Sequence, residues 1–167
     1  LSGKNCLITA GPTHENIDPV RFISNKSSGK MGMAIAEELS DKGAKVTLIM
    51  GPSNLTSNHP NIKQINIVSA EEMYNEVDSY FNNSDISIFT AAVSDYKSKE
   101  VFTEKVKKSE ENWSLSLEKN KDILQTMSVR KSKNQFVVGF ALETENEIEN
   151  AKEKLKKKKL DLIVLNS

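Results

Sequence analysis

The residues best suited to chemistry lie in a long polar stretch near the N-terminus, residues 11–32, with the sequence GPTHENIDPVRFISNKSSGKMG. The stretch follows a short apolar run and leads into a periodic apolar segment. α/β proteins hold phosphates at such a strand–loop–helix junction. A loop of this length is usually functional or disordered. Because Pro12, Pro19 and two aliphatic residues, Val20 and Ile23, restrict it, we interpret it as a substrate-holding loop.

Three further groups of residues are candidates for ligand contact, because open α/β sheets collect ligands at the carboxyl ends of their strands. Residues 90–96 combine small side chains, which let a ligand approach the backbone, with Asp95, which can accept from a sugar hydroxyl or an amine. Residues 139–141 place the aromatic ring of Phe140 between two small residues. The last predicted helix, residues 144–159, forms the remaining group.

Two lysine-rich segments each allow two interpretations. Residues 97–111 are either a solvated charged loop or a flap that carries Lys105 onto a polyphosphate, a role that suits an ammonium group on a flexible stem. The lysine run of the last helix is typical of a helix C-terminus that complements its own dipole. However, Lys154 and Lys158 are four residues apart and share one helix face, so both can point at phosphates.

The composition argues against several classes of protein. With 23 basic and 23 acidic side chains, the net charge gives no reason to expect a nucleic-acid partner or an anionic membrane surface. No apolar run approaches the roughly 20 residues of a membrane span. The lone Cys6 allows no intramolecular disulfide, which is consistent with a reducing cytosol, and we expect a cytoplasmic protein.

The motifs exclude several common sites. His14 and His59 have no cysteine or carboxylate at ligand spacing, so we expect no metal ligands from the protein itself. The Gly-Lys pair at residues 29–30 lacks the following Ser or Thr of a P-loop, and no Gly-x-Ser-x-Gly nucleophile elbow occurs. The apolar run at residues 45–50 ends in Gly-Pro, without the acidic residue that holds an NAD ribose, which argues against an ordinary dehydrogenase.

Hydrophobic periodicity predicts strands that alternate with helices. The predicted strands cover residues 5–10, 45–50, 63–68, 85–92, 113–117, 135–140 and 161–165. The predicted helices cover residues 28–42, 70–81, 122–131 and 144–159. Strands separated by single helices form right-handed βαβ units. The expected fold is therefore α/β, with a mostly parallel sheet and helices on both faces.

Local signals place the ends of two helices. The first helix is predicted to bury a face formed by Met31, Ile35 and Leu39 and to stop at Gly43. Ser69 is the predicted N-cap of the second helix, since its hydroxyl can accept from a free backbone N–H of the first turn.

Five segments together resemble one known family. ITAGPTHENIDPVRFISNKSSGKMG, AAVSDY, EKVKK, VVGFALET and LDLIVLN, in this order, are similar to phosphopantothenoylcysteine synthetase, a ligase of coenzyme A biosynthesis. The resemblance implies a Rossmann-like three-layer sandwich. It also implies that 4'-phosphopantothenate and L-cysteine are joined through an acyl-cytidylate, with release of pyrophosphate and then CMP. CTP would be the co-substrate, and Mg²⁺ would arrive with it.

The resemblance also implies roles for individual residues. Asn25 would contact the acyl-phosphate group as a catalytic residue, and Lys105 would offset charge on the CTP phosphates during activation. The implied nucleotide contacts are Phe89, Thr90, Ala91, Asp95, Lys105, Lys119, Asn120, Lys121, Asp122, Phe140, Lys154 and Lys158. The implied substrate contacts are Asn25, Ser28, Gly29, Ala91 and Ala92.

The domain organisation follows from the same resemblance. In many bacteria the synthetase is the C-terminal half of a protein whose N-terminal half is a flavin-dependent decarboxylase. We therefore expect residues 1–167 to form a single synthetase domain that lacks the family's C-terminal segment and the decarboxylase domain, where FMN would bind. A homodimer is expected. Lys121 departs from the proline that the family usually has at this position.

Two other functions are compatible with the fold. One is an NAD(P)-dependent oxidoreductase, which the missing short glycine-rich turn and ribose-binding acid disfavour. The other is a non-catalytic module that binds nucleotide or organises an oligomer, which would have little use for Lys105 on a mobile loop.

Overall fold

Ten strands and four helices are present in the computed structural model, which describes residues 1–107, 112–142 and 145–166. The strands are β1 (Asn5–Ala10), β2 (His14–Asn16), β3 (Phe22–Ser24), β4 (Lys45–Met50), β5 (Ile62–Asn66), β6 (Ile86–Phe89), β7 (Tyr96–Ser98), β8 (Leu117–Lys119), β9 (Phe136–Leu142) and β10 (Leu162–Asn166). The helices are α1 (Lys30–Asp41), α2 (Ala70–Phe81), α3 (Ile123–Ser128) and α4 (Glu147–Lys157).

Six of these strands form one parallel sheet in the order β10-β9-β6-β1-β4-β5. β1 lies inside the sheet, where it pairs with β4 from Asn5↔Lys45 to Ala10↔Met50 and with β6 on its other side. Helices α1, α2 and α4 each connect two parallel strands of this sheet. The four remaining strands form two antiparallel pairs, β2-β3 and β7-β8.

The sheet has an apolar core on each face, because successive side chains of a strand point to opposite sides. In β1, Cys6 and Ile8 face the core beneath α1, together with Met33 of that helix. Leu7 points to the other side and joins Met73 of α2. Helices α3 and α4 also contribute to this second core. The predicted layered α/β fold, with a mostly parallel sheet and helices on both faces, is therefore confirmed.

Helix α1 packs through a stripe shifted from the predicted one. Met31 is 51% exposed, and Ile35 and Leu39 are only half-buried at the edge of the core. The stripe that faces the sheet runs through Gly32, where an added Cβ would lie 2.3 Å from Ala10 Cβ. The missing side chain lets the helix lie directly on β1, and this close approach decides which face is buried.

Three elements, β1, β4 and α2, agree with their predicted boundaries. β4 and α2 span the predicted residues, and the Ser69 hydroxyl accepts from the Glu72 backbone N–H at 3.2 Å as the N-cap of α2.

The prediction of a strand at residues 113–117 is wrong. The strand β8 begins only at Leu117. It pairs outside the main sheet with β7, a strand that was not predicted. These two strands are short and carry mixed charged and polar side chains, so periodicity identifies them poorly.

The last two helices are shorter than predicted. α3 ends at Ser128 instead of residue 131, and Asp122 is its N-cap rather than its first residue. α4 begins after Asn146, which has a positive φ of 48° that does not continue a helix. The predicted start of this helix, residue 144, lies outside the described residues.

Candidate functional site

The long loop between β1 and α1 contains the hairpin β2-β3, which is built around Asp18. The Asp18 carboxylate accepts from the backbone N–H groups of Val20 and Arg21 at 2.8 Å each and pairs with the Arg21 guanidinium. Burial by itself would raise the pKa of this carboxyl. Backbone N–H donors from Val20, Val106 and Arg21, together with the guanidinium, instead lower the pKa to about 2. Asp18 therefore holds the hairpin as a buried carboxylate.

The ion pair between Asp18 and Arg21 also holds the segment that contains Lys105 against the long loop. The Val106 N–H donates to Asp18 Oδ2 at 3.2 Å, and both terminal nitrogens of Arg21 lie 3.4 Å from the Val106 carbonyl oxygen. The Arg21 guanidinium also lies 5.6 Å from the centre of the Trp113 ring. Both backbone polar groups of Val106 are thus held by one ion pair, next to Lys105.

The segment after β6 is fixed along the start of the long loop. The Thr90 N–H and hydroxyl donate to the Thr9 carbonyl oxygen at 3.1 and 2.7 Å, and the Ala92 N–H donates to the Gly11 carbonyl oxygen at 2.9 Å. The predicted strand 85–92 ends early, at Phe89, because the backbone beyond it follows the loop rather than the main sheet.

Two side-chain amides hold the next part of this segment. Asn25 Nδ2 donates to the Val93 carbonyl oxygen at 3.0 Å, and Asn120 Nδ2 donates to the Ser94 carbonyl oxygen at 2.8 Å. The Asn120 backbone N–H adds a bond of 2.9 Å to the Asp95 carbonyl oxygen. The long loop and the stretch before α3 are therefore joined through the residues that follow β6.

A cleft of about 1010 Å³ opens between these elements at the carboxyl ends of the parallel strands. Its walls come from the long loop, the segment after β6, the start of α3, the end of β9 and one face of α4. Lysine is strongly over-represented among its charged residues, although the whole chain has a formal charge of zero. The charged residues lining the cleft are Lys26, Lys119, Lys121, Lys154, Lys158, Asp95 and Asp122.

The lysines of the cleft differ in how they are held. Lys158 Nζ lies 2.6 Å from Asp122 Oδ2, and Lys121 Nζ lies 4.6 Å from the centre of the Tyr74 ring. The side chains of Lys26 and Lys119 make no hydrogen bond or ion pair with the residues that the structure describes. Excess positive charge in a concave site favours a polyanion, because the field is concentrated there. The cleft is therefore suited to phosphate groups.

Comparison with known proteins identifies the family. Residues 1–167 match the family described as the DNA/pantothenate metabolism flavoprotein C-terminal domain. The chain belongs to this family. It is 43% identical to the solved C-terminal domain of coenzyme A biosynthesis bifunctional protein CoaBC, with a TM-score of 0.87, covering 98% of this chain and 77% of that one.

The curated relatives that this chain matches are considerably longer. The bifunctional protein CoaBC of Haemophilus influenzae is 51% identical over 167 residues, which is 99% of this chain and 41% of that protein. A cysteine/cysteine sulfinic acid decarboxylase from an unknown prokaryotic organism is 46% identical over 100% of this chain and 46% of its own length. The chain thus spans less than half the length of these two relatives.

Most of the site residues implied by the family resemblance are brought together in the cleft. They come from five separate parts of the sequence, which the fold places around one space. The cleft is lined by Asn25, Phe89, Thr90, Ala91, Ala92, Asp95, Lys119, Asn120, Lys121, Asp122, Phe140, Lys154 and Lys158. The chemical roles of these residues stay predictions.

Three of the predicted site residues do not line the cleft. Lys105 is exposed on the docked segment. Ser28 is exposed, and its carbonyl oxygen accepts from the Ser53 hydroxyl at 3.0 Å. Gly29 is buried and has a φ of 76°, which favours glycine, and it precedes the first turn of α1. For Gly29 this geometry explains the residue type without a ligand.

Several other residues that line the cleft are not among the predicted site residues, and four of them are Lys26, Tyr96, Asn166 and Met31. Lys26 and Tyr96 are immediate neighbours of predicted site residues in the chain, which was an available signal. Asn166 ends the last strand, a position that the strand-end rule points to. Met31 was assigned to the buried face of α1, and its exposure into the cleft follows from the shifted packing of that helix.

Among the described residues, the remaining reactive groups provide no second candidate site. Cys6 lies inside β1, and burial raises the pKa of its thiol, which disfavours the thiolate. Within the described ranges no group of three His, Cys, Asp or Glu side chains is arranged to hold a metal ion. Nor does any described helix combine the length and apolarity needed to cross a bilayer.

Proposed function

We propose that the cleft is the active site of a 4'-phosphopantothenate–cysteine ligase that uses CTP. The main support is the lysine-rich cleft at the strand ends, with the Asn25 amide on one wall and the small residues Ala91 and Ala92 beside it. The family membership and the coenzyme A biosynthesis relatives support the same activity. Triphosphate and phosphopantothenate are both polyanions, which suits the excess of positive charge.

The first half-reaction activates a carboxylate. A carboxylate oxygen of 4'-phosphopantothenate attacks the α-phosphorus of CTP, the bond to the β-phosphate oxygen breaks, and pyrophosphate leaves with the bonding electrons. Lys154 and Lys158 on the cleft wall, with Lys105 from the docked segment, would neutralise the charge that gathers on the leaving group. No side-chain nucleophile is required.

The second half-reaction forms the amide. The cysteine amine attacks the acyl carbon, the bond to the phosphate oxygen breaks, CMP leaves, and the amine releases a proton. The primary amide of Asn25 has two N–H groups, of which one donates to the Val93 carbonyl oxygen. The other N–H can donate to the acyl oxygen without adding charge. Asn25 would therefore stabilise the oxygen on which negative charge develops.

Further parts of the proposal concern metal, assembly and location. Mg²⁺ would arrive with CTP and keep phosphate oxygens and waters as ligands, since the cleft supplies few carboxylates.

A homodimer is supported by apolar side chains exposed around the hairpin β2-β3: Val20, Phe22, Val101 and Trp113. A linked FMN-dependent decarboxylase domain and a cytoplasmic location complete the proposal.

The decisive experiment measures pyrophosphate release with Mg²⁺ and 4'-phosphopantothenate in the absence of cysteine. CTP, ATP and no nucleotide are compared in parallel. We expect release with CTP, and formation of CMP and the amide product only after cysteine is added. Binding of CTP without any pyrophosphate release in the full-length protein would instead indicate a non-catalytic nucleotide-binding module. Protection against thermal unfolding by NAD but not by CTP would indicate an oxidoreductase.

Replacing Lys105 tests the activation step. Lys105→Gln removes one positive charge from the docked segment, and we expect pyrophosphate release to fall by on the order of a hundredfold, as for the loss of a stabilising donor in other enzymes. Lys107→Gln makes the same change two residues away and is the matched control. Near-normal release by Lys105→Gln would remove this residue from the mechanism.

Replacing Asn25 tests the second step. Asn25→Asp puts a carboxylate where an amide donates, so it would repel the acyl-cytidylate oxygens. We expect pyrophosphate release to persist while cysteine-dependent turnover falls, and the intermediate should accumulate. Asn16→Asp, at an exposed position of the hairpin that precedes Asn25, controls for the added charge. Unchanged cysteine-dependent turnover in Asn25→Asp would contradict the assigned role.

A further inference from the structure

The two carboxylate oxygens of Asp122 have separate partners. Oδ1 accepts from the Gln125 backbone N–H at 2.9 Å and caps α3. Oδ2 lies 2.6 Å from Lys158 Nζ, at the end of α4. The Asp122 backbone is fixed as well, because the Thr126 hydroxyl donates to its carbonyl oxygen at 2.7 Å. One carboxylate therefore joins the beginning of α3 to the end of α4 at the wall of the cleft.

We propose that Asp122 is a positioning residue, which holds the Lys158 ammonium where a bound polyphosphate needs it, and is not itself a nucleotide contact. The inference deepens the proposed function and rests on it for the identity of the ligand as a nucleoside triphosphate. Direct contact is disfavoured because a carboxylate repels phosphate oxygens. An ammonium group has three N–H donors, so Lys158 can keep Asp122 and still donate to a phosphate.

The exposure of the lysines supports this arrangement. The Lys158 side chain is only 18% exposed, whereas Lys26 and Lys119 are exposed and make no ion pair with described residues. A free lysine loses much rotamer freedom when it binds a phosphate. The ion pair with Asp122 already restricts the rotamers of Lys158. Preorganisation of this kind lowers the barrier of a reaction step by placing charge in advance.

The chain contains a matched control for this carboxylate. Asp161 Oδ2 lies 2.5 Å from Lys131 Nζ and accepts from the Val137 backbone N–H at 2.7 Å. It thus combines a lysine and a backbone N–H as Asp122 does, but at the amino end of β9, away from the cleft. Asp161→Asn changes the same chemical group without touching the proposed site.

The kinetic test uses Asp122→Asn in the full-length protein. Asparagine caps a helix about as well as aspartate, so α3 keeps its cap while the ion pair is lost. We expect kcat for CTP-dependent pyrophosphate release to fall by on the order of tenfold, a size typical of a small misplacement of a catalytic group. KM for CTP should not rise, because removing a negative charge favours triphosphate binding. Asp161→Asn should leave both constants unchanged.

A double-mutant cycle completes the kinetic test. Lys158→Gln alone should lower kcat, and adding Asp122→Asn to it should have no further effect, since the two residues act as one unit. Additive losses would overturn the proposal. A raised KM for CTP with unchanged kcat in Asp122→Asn would also overturn it, because that pattern indicates a direct contact.

A measurement without catalysis separates this inference from the proposed function. The rate at which an amine-reactive reagent labels Lys158 is followed by mass spectrometry, with and without inorganic tripolyphosphate. We expect tripolyphosphate to protect Lys158 more strongly in the wild type than in Asp122→Asn, and to protect Lys154 equally in both. Equal protection of Lys158 overturns the positioning role. The expected labelling pattern without any pyrophosphate release would support the positioning role and contradict the ligase function.

Discussion

The amino ends of the parallel strands form one edge of the sheet, the amino edge, and their carboxyl ends form the other, the carboxyl edge. The two edges use the same residue types for opposite purposes. At the amino edge, Asp85 accepts from the Asn5 backbone N–H at 2.8 Å and pairs with Lys4 Nζ at 3.0 Å. Asp161 makes the corresponding pair of contacts with Lys131 and Val137. Each aspartate thus satisfies a backbone donor of one strand and the charge of one lysine.

The pKa values at the amino edge reflect this pairing. The Asn5 backbone N–H and the Lys4 ammonium lower the pKa of the Asp85 carboxyl. Burial by itself would raise the pKa of Asp161, but the Lys131 ammonium and the Val137 N–H outweigh it and lower the pKa. Both aspartates remain ionised and engaged near neutral pH, and little charge is left for a ligand.

At the carboxyl edge the lysines outnumber the aspartates. Asp122 pairs with Lys158, while Lys26 and Lys119 make no ion pair with the part of the chain that is described. The long loop and the segment after β6 hold these lysines around an open cleft. Although the net charge of the chain is zero, the amino edge is neutralised by its ion pairs and the carboxyl edge carries an excess of positive charge. This asymmetry points to the edge that binds a ligand.

The largest expected effect concerns the packing that builds the carboxyl edge. Gly32→Ala places a Cβ 2.3 Å from Ala10 Cβ and 2.6 Å from Thr90 Oγ1. The gain in helix propensity, about 1 kcal/mol, is smaller than the cost of overpacking, about 1–3 kcal/mol and more for backbone displacement. We expect a lower Tm and weakened ligand binding, because α1 must move away from β1 and from Thr90, which lines the cleft.

Gly139→Ala serves as the comparison for this change. Its added Cβ would lie 2.8 Å from Leu160 Cδ1 and 3.0 Å from Leu124 Cδ2, which are ends of flexible side chains that can shift. Thermal unfolding should show a smaller loss of stability than in Gly32→Ala. An equal loss in both variants would contradict the view that α1 is fixed against the carboxyl edge by close backbone packing.

The sequence predicts the sheet well because its strands are buried on both faces and read as continuous apolar runs. β1 and β4 were located to the residue for this reason. It fails for β2, β3, β7 and β8, which have three residues each and pair outside the main sheet. Such short strand pairs depend on tertiary contacts, such as those of Asp18, and these contacts leave no periodic pattern in the sequence.

The candidate site shows the same division. Strand-end logic and the lysine spacing point to Asp95, Phe140, Lys154 and Lys158, and the fold brings them to one cleft. The pairing of Asp122 with Lys158 could not be predicted, because it depends on how the start of α3 meets the end of α4. The exposure of Met31 was missed for a related reason. A single glycine decides which face of α1 meets the sheet.

The next largest effect is expected at Asp18, whose carboxylate holds the long loop in place. In the folded protein the pKa of Asp18 is lowered from 3.8 to about 2, so its stabilising effect is fully present above pH 3.8. The effect is lost as pH falls from 3.8 through about 2, where the folded-state carboxyl is protonated. We expect Asp18→Asn to unfold more easily than the wild type at pH 6. The difference in free energy of unfolding should shrink steadily between pH 4 and pH 2.

Chemical denaturation at a series of pH values measures this difference. Limited proteolysis at pH 7 gives a second measurement, since the segment around Val106 loses an acceptor in Asp18→Asn and should be cut faster. A difference in free energy that stays constant from pH 6 to pH 2 would show that the carboxylate charge is not what stabilises the loop.

The smallest expected effect compares one lysine from each edge. Lys26→Gln removes a charge from the cleft, and Lys45→Gln removes one from the exposed start of β4 at the amino edge. One unit charge about 6 Å from a phosphate in water contributes roughly 0.7 kcal/mol, which is about threefold in affinity. Calorimetric titration with tripolyphosphate at low salt should show this loss for Lys26→Gln and almost none for Lys45→Gln. The loss should also diminish as salt is added, because exposed charges are screened. Equal losses in the two variants would mean that the polyanion responds to the charge of the whole chain, and the two edges would not differ in the way their ion pairs indicate.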